Sequence, residues 1–230
     1  MKVIELCGNP GSGKSTIAKK LIEQLKAEGH SVINARMPYN HYQGLLRLYI
    51  KNKIAFMYRK DKAAKKLYRQ LLEFTQNNRA EENDKWATKF QRLSYVYSWA
   101  HDKCDYLIAD EGPIQYLTSF YYQSLITGIP EKVKQEIVSR FYSTEYCILS
   151  VSVPIEENVR RIRNRGRAND RYIQGTAEET KRLLETKNGN VQNVISLLGL
   201  ERIYSIDNSG NIDTAIKDAI DAVHEIFDRG

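Results

Sequence analysis

Eight consecutive residues near the start of the chain, Gly8, Asn9, Pro10, Gly11, Ser12, Gly13, Lys14 and Ser15, fit the spacing G-x-x-x-x-G-K-[ST] at every fixed position. That spacing suits a polyphosphate. Glycines let the backbone curl so that successive N–H groups point at anionic oxygens, and a helix starting at the lysine adds the positive end of its dipole. Lys14 is placed to reach the β and γ phosphates, Ser15 to ligand Mg²⁺, and Thr16 continues the first helical turn. The expected ligands are ATP and Mg²⁺, with GTP not distinguished from ATP.

Two further groups of residues extend this chemistry. Asp110 ends an apolar run and Glu111 follows it. A carboxylate there can hold Mg²⁺ or take a proton from an acceptor hydroxyl, and adjacent residues leaving a strand point in different directions. Either one can instead serve as a helix cap before Pro113. Arg160, Arg161, Arg163, Arg165, Arg167 and Arg171 put six arginines into twelve residues. Such a cluster repels itself unless anions stand nearby, and arginines brought in by a closing segment stabilise the charge that spreads over a phosphoryl group in transfer. A solvated helix end is the plainer alternative.

The elements that must position these residues are legible from pattern. Lys2 to Cys7 is short, apolar and bounded by glycine, as a buried strand is. Ile17, Ala18, Leu21, Ile22 and Leu25 then recur at helical spacing up to Gly29-His30. Ser31 to Arg36, Asp105 to Asp110, Tyr146 to Val153 and Ile203 to Ile206 read as four more strands, each separated from the next by helical pattern. Trp86, Phe90, Leu93, Tyr97 and Ala100 line one face of a long helix, with Arg92 near its flank. Strands alternating with helices imply parallel pairing and right-handed crossovers. The expected fold is therefore a three-layer α/β domain over residues 1–230, a five-stranded parallel sheet with helices on both faces. Ligands in such sheets bind outside the carboxyl ends of the strands, where the glycine loop and Asp110 both fall.

Composition narrows the classes of function. No apolar run of the 230 residues approaches the roughly 18 that a membrane span needs, so no membrane is expected. The start of the chain leaves no room for a cleavable leader, which points to the cytoplasm. Cys7, Cys104 and Cys147 stand singly in apolar segments, as reduced buried thiols do. The net charge of +7 is local: residues 36–100 hold 14 Lys+Arg against 5 Asp+Glu, and the rest holds 21 against 23. The same stretch carries 12 of the 23 aromatic residues, so it either faces an anionic acceptor or nucleic acid or is a solvated helical surface over an aromatic core.

Together, the early phosphate loop, the Asp after the third strand, and Val153-Pro154-Ile155-Glu156-Glu157 leading into Arg161, Arg165, Asp170 and Arg171 resemble the P-loop nucleotide kinases, thymidylate kinases most closely. The resemblance spans most of the chain and implies a P-loop NTPase fold in which residues of about 160–175 form a lid over ATP. With no arginine in the glycine loop, it assigns the catalytic arginine to the lid, as Arg163, Arg165 or Arg167, and puts Arg161 among the ATP contacts. Arg92 occupies the helix that touches the acceptor nucleotide in that family, and Arg36 joins it in an acceptor-binding helical region of about residues 37–101. Asn208, in Ile206-Asp207-Asn208-Ser209-Gly210, matches a loop near adenine, though a plain turn fits as well. Two departures stand out. Asp110-Glu111-Gly112-Pro113 lacks the arginine that thymidylate kinases carry after the aspartate, and the basic stretch from about Tyr39 to Lys89 has no counterpart.

The sequence thus points to a kinase that moves the γ-phosphoryl group of ATP to a small acceptor, a nucleoside monophosphate or nucleoside, working alone or as a homodimer. Two alternatives stay open: a polynucleotide 5′-hydroxyl kinase with the basic stretch as strand groove, and an ATP-binding regulatory module that engages a protein partner.

Overall fold

In the computed structural model, residues 1–74, 80–123, 129–143, 145–165, 172 and 174–228 are described. Five parallel strands, β1 (Lys2–Cys7), β2 (Val32–Asn34), β3 (Tyr106–Ala109), β4 (Tyr146–Ser152) and β5 (Ile203–Asp207), form one sheet in the order β2-β3-β1-β4-β5. Each is shorter than or close to its expected span, since pairing stops where the chain turns into a loop. The helices are α1 (Lys14–Ala27), α2 (Gly44–Met57), α3 (Lys62–Phe74), α4 (Ala80–Ala100), α5 (Pro113–Gln123), α6 (Glu131–Phe141), α7 (Ile155–Asn164), α8 (Ala177–Leu198) and α9 (Ile212–Asp228).

Alternation along the strands divides the core into two layers. Ile4, Leu6, Tyr106, Ile108, Cys147 and Leu149 meet Ile17, Leu21 and Leu25 of α1 and Ala215, Ala219 and Val223 of α9. Val3, Cys7, Leu107, Ala109 and Ile148 face the other way, toward Leu67 and Leu71 of α3, Phe90 and Tyr97 of α4, Ile137 of α6 and Val194 of α8. Phe141 joins α4 to α6 edge-on, 5.4 Å from Phe90 and 5.1 Å from Tyr97 between ring centroids. Truncating Phe90 to alanine should therefore cost about 3–5 kcal/mol. Phe90, Leu93, Tyr97 and Ala100 of the expected stripe are buried as their spacing implies. The side chain of Trp86 lies outside the described residues. Cys7, Cys104 and Cys147 are free and buried, and burial pushes the Cys7 and Cys147 thiols up to about 12.

The glycine that closes α1 does so by conformation. Gly29 has φ 90°, its N–H reaches Lys26 O at 3.1 Å and the His30 N–H reaches Leu25 O at 3.0 Å, the paired bonds of a Schellman end.

The basic middle of the sequence is less uniform than its composition implies. Tyr68, Phe90 and Tyr97 go to the core, whereas Leu45, Leu48, Tyr49 and Phe56 stand exposed on α2, which is anchored by Ile50 and Ile54. No helix among the described residues is long and apolar enough to cross a membrane.

The order of the strands decides where the chemistry gathers. β1 pairs with β3 on one side, Glu5 opposite Ala109, and with β4 on the other, Cys7 opposite Ser150. The loop after β1 and the residues after β3 therefore leave the same sheet edge side by side, at the point where the connections change direction.

Candidate active site

The loop from Gly8 to Gly13 is built on three glycines with positive φ, Gly8 at 132°, Gly11 at 86° and Gly13 at 100°. A side chain would be strained at each by conformation, and crowding adds to it. A Cβ at Gly8 would run into Val151 O, and one at Gly13 into the Asn208 amide. Two buried asparagines hold the loop from outside: Asn158 Nδ2 donates to Pro10 O at 2.8 Å and Asn208 Nδ2 to Ser12 O at 2.7 Å. The Pro10 and Ser12 carbonyls are thereby fixed by side chains from α7 and the turn after β5.

Lys14 Nζ lies across the loop, donating to Gly8 O at 2.9 Å and Asn9 O at 2.7 Å. Burial pulls its ammonium down to about 8, against the opposing pull of Asp110 and Glu111. An anion delivered to that ammonium would stabilise its charged form and raise the value again. Ser15 Oγ donates to Asp110 Oδ2 at 2.9 Å. Asp110 is 5% exposed, and its second oxygen, Oδ1, is buried without a hydrogen-bond partner among the described residues. A hydroxyl and an incompletely satisfied carboxylate at the mouth of a phosphate loop are the oxygen donors that Mg²⁺ selects, so Ser15 and Asp110 fit that ion.

These residues line a cleft of about 570 Å³ together with Thr16, Arg36, Glu111, Gln115, Arg165 and Lys187. A second recess of about 620 Å³ opens behind the loop between α7 and the Asn208–Ile212 turn, lined by Arg160, Arg161, Asn164, Arg165 and Asn211. Asn208 also lines this recess, and its side chain, bonded to Ser12 O, buttresses the loop from below. Arg161 donates Nη2 to Asn208 O at 3.0 Å and Nε to Glu157 at 2.7 Å. With Arg160 and Arg161 both bonded to it, Glu157 is held down at about 2.

The arginine segment also divides. Arg160, Arg161 and Arg163 lie on α7 and Arg165 at its end, so this part of the expected lid is helix. Arg165 lines both the cleft and the recess, while Arg163 turns away to Gly175 O at 3.2 Å. Arg167, Asp170 and Arg171 lie outside the described residues.

On the far side of Asp110, Arg36 Nη1 stands 3.8 Å from Asp110 Oδ2 and 3.5 Å from Glu111 Oε1, and Arg92 Nη2 donates to Arg36 O at 3.3 Å. A recess of about 210 Å³ is lined by Arg36, Lys89, Arg92, Leu93, Glu111 and Tyr116. Three cations and one carboxylate thus converge beside the metal pair. Lys89, Asn158, Gln115 and Lys187 were not foreseen. Asn158 and Lys187 sit on helices with no local pattern to mark them, because the contacts that matter join residues far apart in sequence. Glu5 had a signal, a charge inside an apolar strand.

Comparisons with known proteins agree with this architecture. A family model described as an AAA domain matches residues 2–125. No curated protein shows significant sequence similarity to the chain. Among solved structures, deoxyadenosine kinase from M. mycoides, determined with products dCMP and dCDP, superposes with a TM-score of 0.51 at 14% identity, covering 98% of this chain and 100% of that one. The YorR protein from Bacillus subtilis, in complex with phosphorylated GDP, gives 0.52 at 20% identity, covering 96% and 95%. At these identities the likeness establishes a shared fold along nearly the whole chain, here a five-stranded parallel α/β sheet.

Proposed function

Because the chain belongs to the AAA-domain family and carries a complete phosphate loop on a kinase-type sheet, we propose that it is an ATP-dependent phosphotransferase whose acceptor is anionic, a nucleoside monophosphate. One observation carries the acceptor half of this reading. Arg36, Lys89 and Arg92 surround a recess that opens on Glu111, next to the Ser15–Asp110 pair. The guanidinium groups of Arg36 and Arg92 offer paired N–H donors there, which the oxygens of a phosphate monoester can accept with charge assistance and a neutral nucleoside cannot. Arg36 and Arg92 also supply, from other elements, the charge that the missing arginine after Asp110 gives in thymidylate kinases.

The residues divide the work as follows. The loop amides and Lys14 grip the β and γ phosphates, and Asn158 and Asn208 keep the loop in the gripping shape. Ser15 and Asp110 would hold Mg²⁺, which when bound would neutralise the nucleotide's phosphate oxygens. Arg36 and Arg92 orient the acceptor, so that its oxygen bonds to the γ-phosphorus as the bond to the β–γ bridging oxygen breaks and ADP leaves with that electron pair. An ionised phosphate oxygen needs no base. A hydroxyl acceptor would hand its proton to Glu111. Lys14 and Arg165 offset the charge on the phosphoryl group in transit.

The test is an acceptor panel with mass detection, run with Mg·ATP against nucleoside monophosphates, nucleosides and 5′-hydroxyl oligonucleotides. A nucleoside diphosphate product is expected; ATP turnover with no phosphorylated product from any acceptor would end the reading. Polynucleotide 5′-phosphorylation is favoured as a second reading by one feature: residues 36–60 carry six Lys/Arg and no Asp/Glu, beside the exposed Tyr49 and Phe56. That reading requires oligonucleotide binding that weakens steeply with salt.

A further inference from the structure

Glu5 interrupts the apolar run of β1 and is 0% exposed, three residues before the phosphate loop begins. The helix it faces, α5, starts without a cap of its own. Gly112 has no side chain to accept a bond, and Pro113 at the first helical position has no N–H. The first amides that need a cap are those of Ile114 and Gln115. Ile114 N–H donates to Glu5 Oε1 at 2.9 Å, and the Gln115 amide bonds the same carboxyl. Tyr142, just past the end of α6, donates its hydroxyl to Glu5 Oε2. Gly112 lies flat against the carboxyl group, so that a Cβ at this position would collide with it.

We infer that Glu5 is a positioning residue that caps α5 from the neighbouring strand and thereby fixes Glu111 relative to the phosphate loop. Glu111 is held between two anchors. Behind it Asp110 accepts from Ser15 Oγ at 2.9 Å, and ahead of it Ile114 donates to Glu5 at 2.9 Å. Both anchors belong to the unit β1–loop–α1, which also carries the nucleotide-binding groups. Glu111, the acceptor-orienting Arg36 that stands 3.5 Å from it, and the loop are consequently held in one register, which is what in-line transfer between two bound molecules requires. Burial pushes the Glu5 carboxyl up to about 8. The cap survives protonation, because the neutral acid keeps one carbonyl oxygen for the amides while its O–H pairs with Tyr142. The requirement is an sp² oxygen at this place, which glutamine supplies and leucine does not.

The catalytic meaning of this inference rests on the kinase reading, so the experiment has one arm independent of turnover. Glu5→Gln, Glu5→Leu and Gly112→Ala are compared with the native chain by ATP calorimetry, steady-state kinetics with the best acceptor, and hydrogen exchange of the 113–118 and 8–16 segments. Glu5→Gln should stay within about threefold of native in all three. Glu5→Leu should lower kcat about 30-fold or more and speed exchange at Ile114 at least about tenfold, with ATP affinity and loop exchange within about threefold of native. Gly112→Ala, which lifts the turn off the carboxyl, should repeat that split and stands in if the leucine variant does not fold. Unchanged kcat or unchanged Ile114 exchange in both disruptive variants would overturn the inference. So would a Glu5→Gln defect as large as that of leucine, or loss of ATP binding in proportion to kcat. A native chain that phosphorylates no acceptor would remove the kinase reading, and the exchange arm would still decide the cap.

Discussion

Ser15 Oγ and Asp110 Oδ2 stand 2.9 Å apart although 95 residues separate them in the chain. The distance follows from strand order, since β1 and β3 are neighbours and their C-terminal ends open on one cleft. Replacing either partner should expose its role in metal binding. Asp110→Asn keeps the hydrogen bond to Ser15 but halves the oxygen donors and removes the charge. It should lower kcat by about 10²–10³ and move the Mg²⁺ dependence to higher concentration in a metal titration. Ser15→Ala should act in the same direction with a smaller effect.

Lys14 is kept at a cost to the fold. Its folded pKa of about 8 lies below the ordinary lysine value of 10.5, so the stability tied to its neutral form is present above 10.5 and is lost as pH falls from there through about 8. Lys14→Met should abolish binding of Mg·ATP by calorimetry yet raise the melting temperature at pH 7 by roughly 2–4 °C, an advantage that shrinks toward pH 10. For the native chain, ATP binding at pH 8 should take up roughly half a proton, because phosphate returns the ammonium to its charged form. The uptake is read from binding enthalpies in two buffers with different ionisation heats.

Arg36 and Arg163 should separate acceptor from bystander. Arg36 faces both Asp110 and Glu111, whereas Arg163 is bonded to Gly175 O. Arg36→Met should raise the acceptor KM about 10–100-fold with ATP affinity preserved, and Arg163→Ala should change either constant by less than about threefold. Arg165→Ala, at the mouth of the cleft, should lower kcat about 10²-fold or more.

The loop depends on its buttresses. Asn208→Ala would leave Ser12 O without its side-chain donor, at a stability cost of about 1–3 kcal/mol in denaturant unfolding, and should weaken ATP binding about tenfold as the loop relaxes. Gly13→Ala should be worse for binding, as it strains a φ of 100° and displaces the same asparagine.

Stability should also carry the signature of Glu5. Its folded pKa of about 8 lies above the ordinary glutamate value of 4.5, so the protonated side chain's contribution is complete below 4.5 and is lost as pH rises through about 8. Within that window the slope is at most about 1.4 kcal/mol per pH unit. Glu5→Gln should remove it, so the difference in melting temperature between the variant and the native chain should grow in the variant's favour from pH 5 to pH 8.

The phosphate loop and all five strands could be read in the sequence because each is written locally. G-x-x-x-x-G-K-S is a contiguous motif, and an apolar run bounded by glycine or charge is a strand wherever it lands. Ser15, Lys14 and Asp110 were recognisable for the same reason, and three single cysteines in apolar segments announced buried thiols. The acceptor region was harder. Its composition, basic and aromatic, did not distinguish Tyr68 and Phe90, which enter the core, from Tyr49 and Phe56, which do not.

What the sequence alone determined was a nucleotide-gripping loop on a parallel α/β sheet, since backbone conformation and strand identity depend on neighbours a few residues away. Tertiary structure decided which residues meet there: that Arg165 and not Arg163 lines the cleft, that Asn208 supports the loop from below, and that Glu5 caps α5. Those contacts join residues from 12 to 196 positions apart, and their partners are chosen by strand order and helix packing, which no local pattern encodes.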